Sequence, residues 1–283
     1  MKSLKEYRGI TIQGSTKVIA IFGDPLNYTL SPKMHNFAIS QLGLDFVYVP
    51  FLVKADQLAE ATQALRSLNM VGANITTPHK QKIIPYLDDL TPLARKIGAV
   101  NTVIHRGTKL IGDNTDAKGF ITSLKEEGSF DPKNKKVVLL GAGGAANAIS
   151  VALLDEGIKK LVILNRSLDH AIKLKARLKI FYPNAEIIIE SLTRATLNGY
   201  LKASDLFVNA TPGCPELDSV QLTSNIFVFD AVYASVTPLL LAAEKASAPS
   251  IGGLEMLIRQ GALSFSLWTN LAPPIDLMKK ALE

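Results

Sequence analysis

Gly141-Ala142-Gly143-Gly144-Ala145-Ala146-Asn147 follows the apolar run Lys136-Val137-Val138-Leu139-Leu140. A buried strand that enters a glycine-rich turn and then a helix lays backbone N–H groups and a helix N-terminus against a pyrophosphate. Ala146 stands where the third glycine of that fingerprint is found, a position that admits alanine. About twenty-four residues on, a second strand, Leu161-Val162-Ile163-Leu164, ends in Asn165-Arg166-Ser167. An acidic side chain at such a strand end grips a ribose 2′-hydroxyl, whereas an arginine accommodates a 2′-phosphate. The pair of segments therefore predicts an NADP site.

Asn74-Ile75-Thr76-Thr77-Pro78-His79-Lys80 is the second dense cluster. It ends a buried strand in hydroxyls and a proline stop, which predicts that Lys80 starts the next helix at the carboxyl edge of a sheet. Open α/β sheets bind ligands at that edge. A lysine there can hydrogen-bond a substrate hydroxyl and move its proton; by itself, Lys80 reads as an exposed surface lysine. His79 reads as a surface or capping histidine.

Asp113-Asn114-Thr115-Asp116 supplies carboxylates. Asp116 alone reads as a helix N-cap, yet a carboxylate at a domain boundary could also face Lys80 across a cleft. At about 4 Å and an effective dielectric near 20 such a pair is worth roughly 4 kcal/mol before desolvation. The carboxylate favours the ammonium and burial favours the amine. Thr29-Leu30-Ser31 places two hydroxyls on one face if the backbone is extended, enough to hold a carboxylate, while Ser31 also reads as a helix N-cap. Asn209-Ala210-Thr211-Pro212-Gly213 suits a loop near a cofactor ribose. Cys214, the single cysteine, has no cation beside it in sequence and reads as a spectator thiol. No His/Asp/Glu cluster has metal-ligand spacing, and no Gly-x-Ser-x-Gly elbow supports hydrolase chemistry.

The elements that must position these residues alternate. Strands are predicted at 17–22, 46–53, 72–77 and 99–105, and helices at 32–42, with Pro32 in the first turn, and at 55–68, where Leu58, Ala61, Leu65 and Leu68 recur at helical spacing. A helix over 116–127 and a polar connector follow. Strands at 137–140, 161–164, 186–189, 205–208 and 226–229 then form a doubly wound module. After Ser250-Ile251-Gly252-Gly253 a helix runs from Leu254 to about Asn270, Pro273-Pro274 breaks it, and a short helix ends the chain. The expected architecture is α/β in two domains: residues 1–115 plus 253–283 around a mostly parallel sheet, and residues 116–252 as a Rossmann-like dinucleotide module. The C-terminal helices are expected to return to the first domain.

Bulk composition fits a soluble globular protein, with 47% hydrophobic and 20% charged residues. No run approaches the eighteen apolar residues of a membrane span, and Met1 to Arg8 lack the apolar stretch of a secretory signal, so the cytoplasm is the expected compartment. The net charge of +6 suits attraction of anionic small molecules and equally a solvated basic surface. It is spread along the chain without a nucleic-acid-binding motif, so no nucleic-acid or membrane partner is expected.

Taken in order, Thr29-Leu30-Ser31-Pro32, Asn74 to Lys80, Ala99-Val100-Asn101-Thr102, Gly112 to Asp116, Gly141 to Ala145, Asn165-Arg166-Ser167, Asn209 to Gly213 and Gly253-Leu254-Glu255-Met256-Leu257 through Gln260 resemble the shikimate dehydrogenase family over about residues 17–272. The resemblance implies reversible reduction of 3-dehydroshikimate to shikimate with NADPH, in a monomer or homodimer. It implies Lys80 as the acid/base residue and Asp116 as its partner. Thr29 and Ser31 would hold the substrate carboxylate, with Thr76, Asn101, Tyr233 and Gln260 as further contacts. Gly141, Ala142, Gly143, Gly144, Ala145, Asn165, Arg166, Ser167, His170, Ala210 and Thr211 would hold the cofactor, with Gly253 and Met256 near the nicotinamide. The family usually has Ser where Thr29 stands. NADP-binding members often carry a second Arg where this chain has His170, a residue mostly neutral at neutral pH, which implies a weaker 2′-phosphate clamp. Pro92 replaces a usually acidic position. A quinate/shikimate dehydrogenase able to use NAD, a non-catalytic NADP and ligand sensor, and another small-acid dehydrogenase are the alternatives.

Overall fold

The computed structural model describes residues 11–213, 215–233 and 236–283. The N-terminal segment read above for a signal, and Cys214, lie outside the described residues. The chain divides into two compact units. One holds the described residues up to Arg95 with Ala99–Thr115 and Ile258–Glu283; the other holds Lys96–Gly98 and Asp116–Leu257.

The first unit carries β1 (Lys17–Gly23), α1 (Ser31–Gln41), β2 (Phe46–Leu52), α2 (Leu58–Ser67), β3 (Gly72–Ile75), β4 (Asp89–Leu90), most of α3 (Pro92–Ile97), β5 (Thr102–Arg106) and β6 (Lys109–Asp113). Its sheet has the order β2-β1-β3-β5-β6-β4. The sheet is mostly parallel, as expected, with an antiparallel strand inserted: β1–β2, β1–β3 and β4–β6 run parallel, while β3–β5 and β5–β6 run antiparallel. The β5–β6 reversal has a local cause. Gly107, at φ +62°, lets Arg106 pair directly with Lys109, and the tight turn forces a hairpin. Ala20, Phe22, Leu65, Ala73, Ile75, Val103 and Leu110 share one buried core.

The helix expected over 55–68 opens as a 3-10 turn, Ala55–Gln57, and becomes α-helical at Leu58. Leu58 and Leu65 are buried, but Leu68 is 65% exposed. The helix ends at Ser67 with Leu68 as its C-cap, and Asn69 then takes φ +50°.

The chain's last segment completes this unit. Residues from Ile258 onward in α9 (Leu254–Thr269) and the whole of α10 (Ile275–Leu282) belong to it, and α10 packs on α1. Trp268 donates its indole N–H to the Val103 carbonyl at 2.9 Å. A Cβ on Gly72 would fall 2.1 Å from that carbonyl oxygen and 2.5 Å from Trp268 Nε1, so no side chain fits there. On α1, His35 is fully buried and its ring stacks on Tyr48, with centroids 4.3 Å apart and planes 6° from parallel. Phe265 flanks it at 6.2 Å. Neither ring nitrogen has a hydrogen-bond partner among the described residues, and burial pushes its pKa down to about 3.

The second unit carries α4 (Asp116–Glu126), β7 (Lys136–Leu140), α5 (Gly144–Asp155), β8 (Lys160–Asn165), α6 (Leu168–Phe181), β9 (Ile187–Ser191), α7 (Arg194–Leu201), β10 (Leu206–Asn209), β11 (Phe227–Asp230), α8 (Pro238–Lys245) and β12 (Ser250–Gly252). Its sheet is parallel throughout, in the order β12-β11-β10-β7-β8-β9. That is the doubly wound order, with the strand order reversing between β7 and β10. The strands read as near-continuous apolar runs because both faces are covered. β12 escapes sequence reading, since a three-residue strand ending in glycine carries no period of its own.

Candidate active site

In the first sheet, β1 and β3 run parallel and β5 returns antiparallel, with Phe22 opposite Ile75 and Thr102 opposite Asn74. The carboxyl ends of β1 and β3 and the start of β5 therefore share one edge. Thr29 and Ser31 follow β1, Thr76 to Lys80 follow β3, and Asn101 precedes β5. The two strand ends approach closely: a Cβ on Gly23 would lie 2.4 Å from Thr76 Cγ2.

Three local expectations are corrected here. Ser31 is the first residue of α1 and Leu30 caps it; Leu30 has helical angles, φ −89° and ψ −8°, so Thr29 and Ser31 do not lie on an extended segment. The Ser31 N–H donates to Thr29 Oγ1 at 3.3 Å, and the cap residue Leu30 makes no side-chain hydrogen bond of its own. Second, Lys80 does not start a helix: turns lead from Thr77 to a 3-10 segment at Ile84–Tyr86. Its carbonyl accepts the Val100 N–H at 2.7 Å rather than an N–H of its own segment, which ties the Lys80 backbone to the chain entering β5. Third, His79 is not on the surface. It is fully buried, and its Nε2 lies 2.7 Å from the Val53 carbonyl oxygen. A carbonyl only accepts, so Nε2 carries the hydrogen. The buried ring pins the turn that presents Lys80, which is half-buried.

Asn101 and Gln260 come together: Asn101 Nδ2 donates to Gln260 Oε1 at 3.1 Å and to Thr115 Oγ1 at 2.8 Å. Ser264 lies among them, one turn beyond Gln260 on α9, and was not singled out from the sequence. A serine in an apolar helix looks like filler until the facing strands are known.

In the second unit, Gly141 leaves β7 at φ +111°, a conformation that favours glycine. A Cβ there would lie 3.1 Å from Thr211 Cγ2 and 3.2 Å from the Ala210 carbonyl oxygen. The loops after β7 and β10 thus touch where the strand order reverses. Beyond Gly143 nothing lies within 4 Å of an added Cβ. The first turn of α5 holds no acidic residue, and no side chain caps the helix at Gly143. Asn147 Nδ2 donates to the Gly143 carbonyl at 2.7 Å and so fixes the loop from behind. At the end of β8, Asn165 Nδ2 donates to the Ser167 carbonyl at 2.8 Å, and Arg166, Ser167 and His170 are exposed. Asp169, also exposed, sits in the first turn of α6 beside them.

Asp230, fully buried at the end of β11, is another residue that sequence reasoning missed. It accepts from Asn209 Nδ2 at 2.9 Å, the Val232 N–H at 3.1 Å and Thr237 Oγ1 at 2.5 Å. Asn209 Oδ1 in turn accepts the Thr211 N–H at 3.0 Å and its hydroxyl at 2.7 Å. One buried carboxyl therefore holds the 209–211 loop and the segment leading to Tyr233, which is half-buried. Gly253 is required by close approach: its Cβ would lie 2.3 Å from the Ala231 carbonyl oxygen. Met256 is buried on α9, and Asp116 is buried as the first residue of α4, where a carboxylate is favoured by the helix dipole.

These residues fit a dinucleotide phosphate. The open N-terminus of α5, the positive-φ glycine and the exposed guanidinium at the end of β8 are the required parts. Among the described residues no group of His, Cys, Asp and Glu could hold a metal ion, and no helix is long and apolar enough to cross a membrane.

Comparison with known proteins agrees along the chain. Residues 21–103 match the shikimate dehydrogenase substrate binding domain, residues 124–217 match shikimate / quinate 5-dehydrogenase, and residues 253–283 match the shikimate 5′-dehydrogenase C-terminal domain. The shikimate dehydrogenase (NADP(+)) of Desulforamulus reducens is 41% identical, covering 96% of both chains. A crystal structure of a shikimate dehydrogenase in complex with NADP+ superposes with a TM-score of 0.87 at 35% identity, covering 98% of each chain. The enzyme of Thermus thermophilus, in complex with NADP(H) and shikimate, gives a TM-score of 0.79 at 32% identity, over 94% of this chain and 98% of that one. The chain belongs to the shikimate dehydrogenase family.

Proposed function

We propose that this chain is an NADP-dependent oxidoreductase that interconverts 3-dehydroshikimate and shikimate, a step toward chorismate and the aromatic amino acids. The observation that carries the reading is the near-complete likeness to shikimate dehydrogenases (NADP(+)), joined to a phosphate-binding loop at the strand-order reversal of the second sheet.

In this reading residues 1–115 with 253–283 hold the substrate and residues 116–252 hold the dinucleotide. NADPH, when bound, supplies the hydride. Lys80 donates the proton to the developing alkoxide and its charge stabilises that oxygen, with Asp116 as the partner that keeps the amine oriented and ready to exchange protons. Thr29 and Ser31 offer hydroxyls to the substrate carboxylate, and Thr76, Asn101, Tyr233 and Gln260 orient the ring hydroxyls. The Gly141–Ala145 backbone and the α5 N-terminus take the pyrophosphate, while Asn165, Arg166, Ser167 and His170 take the adenosine ribose and its 2′-phosphate. Ala210, Thr211, Gly253 and Met256 flank the nicotinamide half. Working in the cytoplasm, as a monomer or homodimer, the protein needs no nucleic-acid or membrane partner.

A second reading, activity on quinate with NAD, is favoured by the match to shikimate / quinate 5-dehydrogenase and by a histidine, rather than a second arginine, at position 170. One assay separates the two: absorbance of the reduced cofactor is followed with shikimate or quinate and NADP+ or NAD+. The proposal expects shikimate with NADP+ to give the highest kcat/KM. Absence of any shikimate-dependent reduction would withdraw the enzyme reading; quinate with NAD+ as the best pair would establish the second one.

A further inference from the structure

The amide groups proposed to meet the substrate are oriented by a relay of buried hydroxyls inside the first unit. Tyr48 donates its hydroxyl to Asn74 Oδ1 at 2.7 Å, so the other end of that amide, Nδ2, is the donor end. It faces the Asn101 carbonyl oxygen at 3.0 Å and Ser264 Oγ at 3.2 Å. Ser264 Oγ lies 2.7 Å from Thr102 Oγ1 and 3.0 Å from Thr115 Oγ1. Thr102 donates its hydroxyl to Asn101 Oδ1 at 2.9 Å, and the Thr115 N–H donates to the same oxygen at 2.8 Å. All of these side chains are buried.

Directionality follows from the donors. An N–H can only donate, so the Thr115 N–H requires oxygen at that end of Asn101. Asn101 Nδ2 therefore points the other way, toward Thr115 Oγ1 and Gln260. Because an Asn101 N–H faces it, Gln260 must turn its oxygen inward, which leaves Nε2 as the end turned away from Asn101. A flipped Asn101 would set N–H against N–H at a side chain only 2% exposed, where the mismatch is costly.

We infer that Thr102 and Ser264 are positioning residues: through Asn101 they fix Gln260 as a hydrogen-bond donor toward the substrate. The site then selects an oxygen acceptor, a hydroxyl or carbonyl oxygen, at the position Gln260 covers. This deepens the proposed function and rests on it for the roles of Asn101 and Gln260.

The test is Thr102→Val against Thr102→Ser in the shikimate and NADP+ assay. Valine keeps the β-branched shape that suits β5 and removes the hydroxyl; serine keeps it. The expected result is a rise in KM for shikimate of about five- to tenfold in Thr102→Val, with KM for NADP+ unchanged and Thr102→Ser near the parent. Should Thr102→Val not fold, Ser264→Ala carries the same expectation, because Asn74 Nδ2, Thr102 Oγ1, Thr115 Oγ1 and the Gln260 carbonyl all lose their shared partner. An unchanged shikimate KM, or equal losses for both substrates, would overturn the relay. An inactive parent protein would overturn the proposed function instead.

Discussion

Lys80→Met is expected to lower kcat by roughly 10²–10⁴-fold with little change in KM for shikimate, the range for removing a general acid used mainly in the transition state. Methionine keeps the length and apolar stem of the side chain and deletes the charge and the transferable proton. The turn carrying Lys80 is fastened by its backbone bond to Val100 and by the buried His79 ring on the Val53 carbonyl, and both survive the substitution. Steady-state kinetics with a melting curve on the same sample checks this. A variant with kcat intact removes Lys80 from the chemistry, and one with lowered melting temperature and raised KM reassigns it to structure.

The second large effect concerns stability in acid. An unfolded histidine titrates near 6.5, whereas in the native state His35 takes up a proton only near pH 3. Above pH 6.5 both states are neutral here and the native packing contributes in full. Below it the unfolded chain gains a proton that the native state refuses, so stability falls as pH drops from 6.5 toward 3. The slope approaches about 1.4 kcal/mol per pH unit. By pH 4.5 this single group costs roughly 2–3 kcal/mol, a large share of a typical domain's stability. His35→Phe keeps a ring against Tyr48 and Phe265 and deletes the titration. Urea unfolding of both proteins at pH 7.5 and 4.5 is the measurement, with carboxylate contributions cancelling in the comparison. Parent and variant losing stability in parallel would show that the buried imidazole is not the cause.

The second module was legible because its signals are local and redundant. A strand, a glycine turn and a helix in succession, then an arginine at the next strand end, define a phosphate site before any contact is known. The parallel strands were equally plain as apolar runs. The first unit was harder where tertiary contacts override local pattern. Nothing around His79 in sequence announces that the Val53 carbonyl will bury it, and Lys80 follows a proline in a way that suits a helix until Val100 claims its carbonyl. Likewise Ser31 looks like a cap, yet the helix starts one residue earlier, with Leu30 at the cap and Ser31 already in the first turn. The hydroxyls of Thr102, Thr115 and Ser264 were invisible for another reason: they lie as far as 162 positions apart in sequence and acquire meaning only when α9 lies across the start of β5. Asp230 belongs with them, a buried carboxyl whose partners come from two different loops.

In the proposed reaction Lys80 and Asp116 serve one proton-transfer step. A double-mutant cycle in kcat with Lys80→Met and Asp116→Asn tests it most directly. Residues acting as a unit are strongly non-additive, so each single variant should be slow and the double variant little slower than Lys80→Met alone. Losses that multiply, with the double variant slower by the product of the two single effects, would contradict the account.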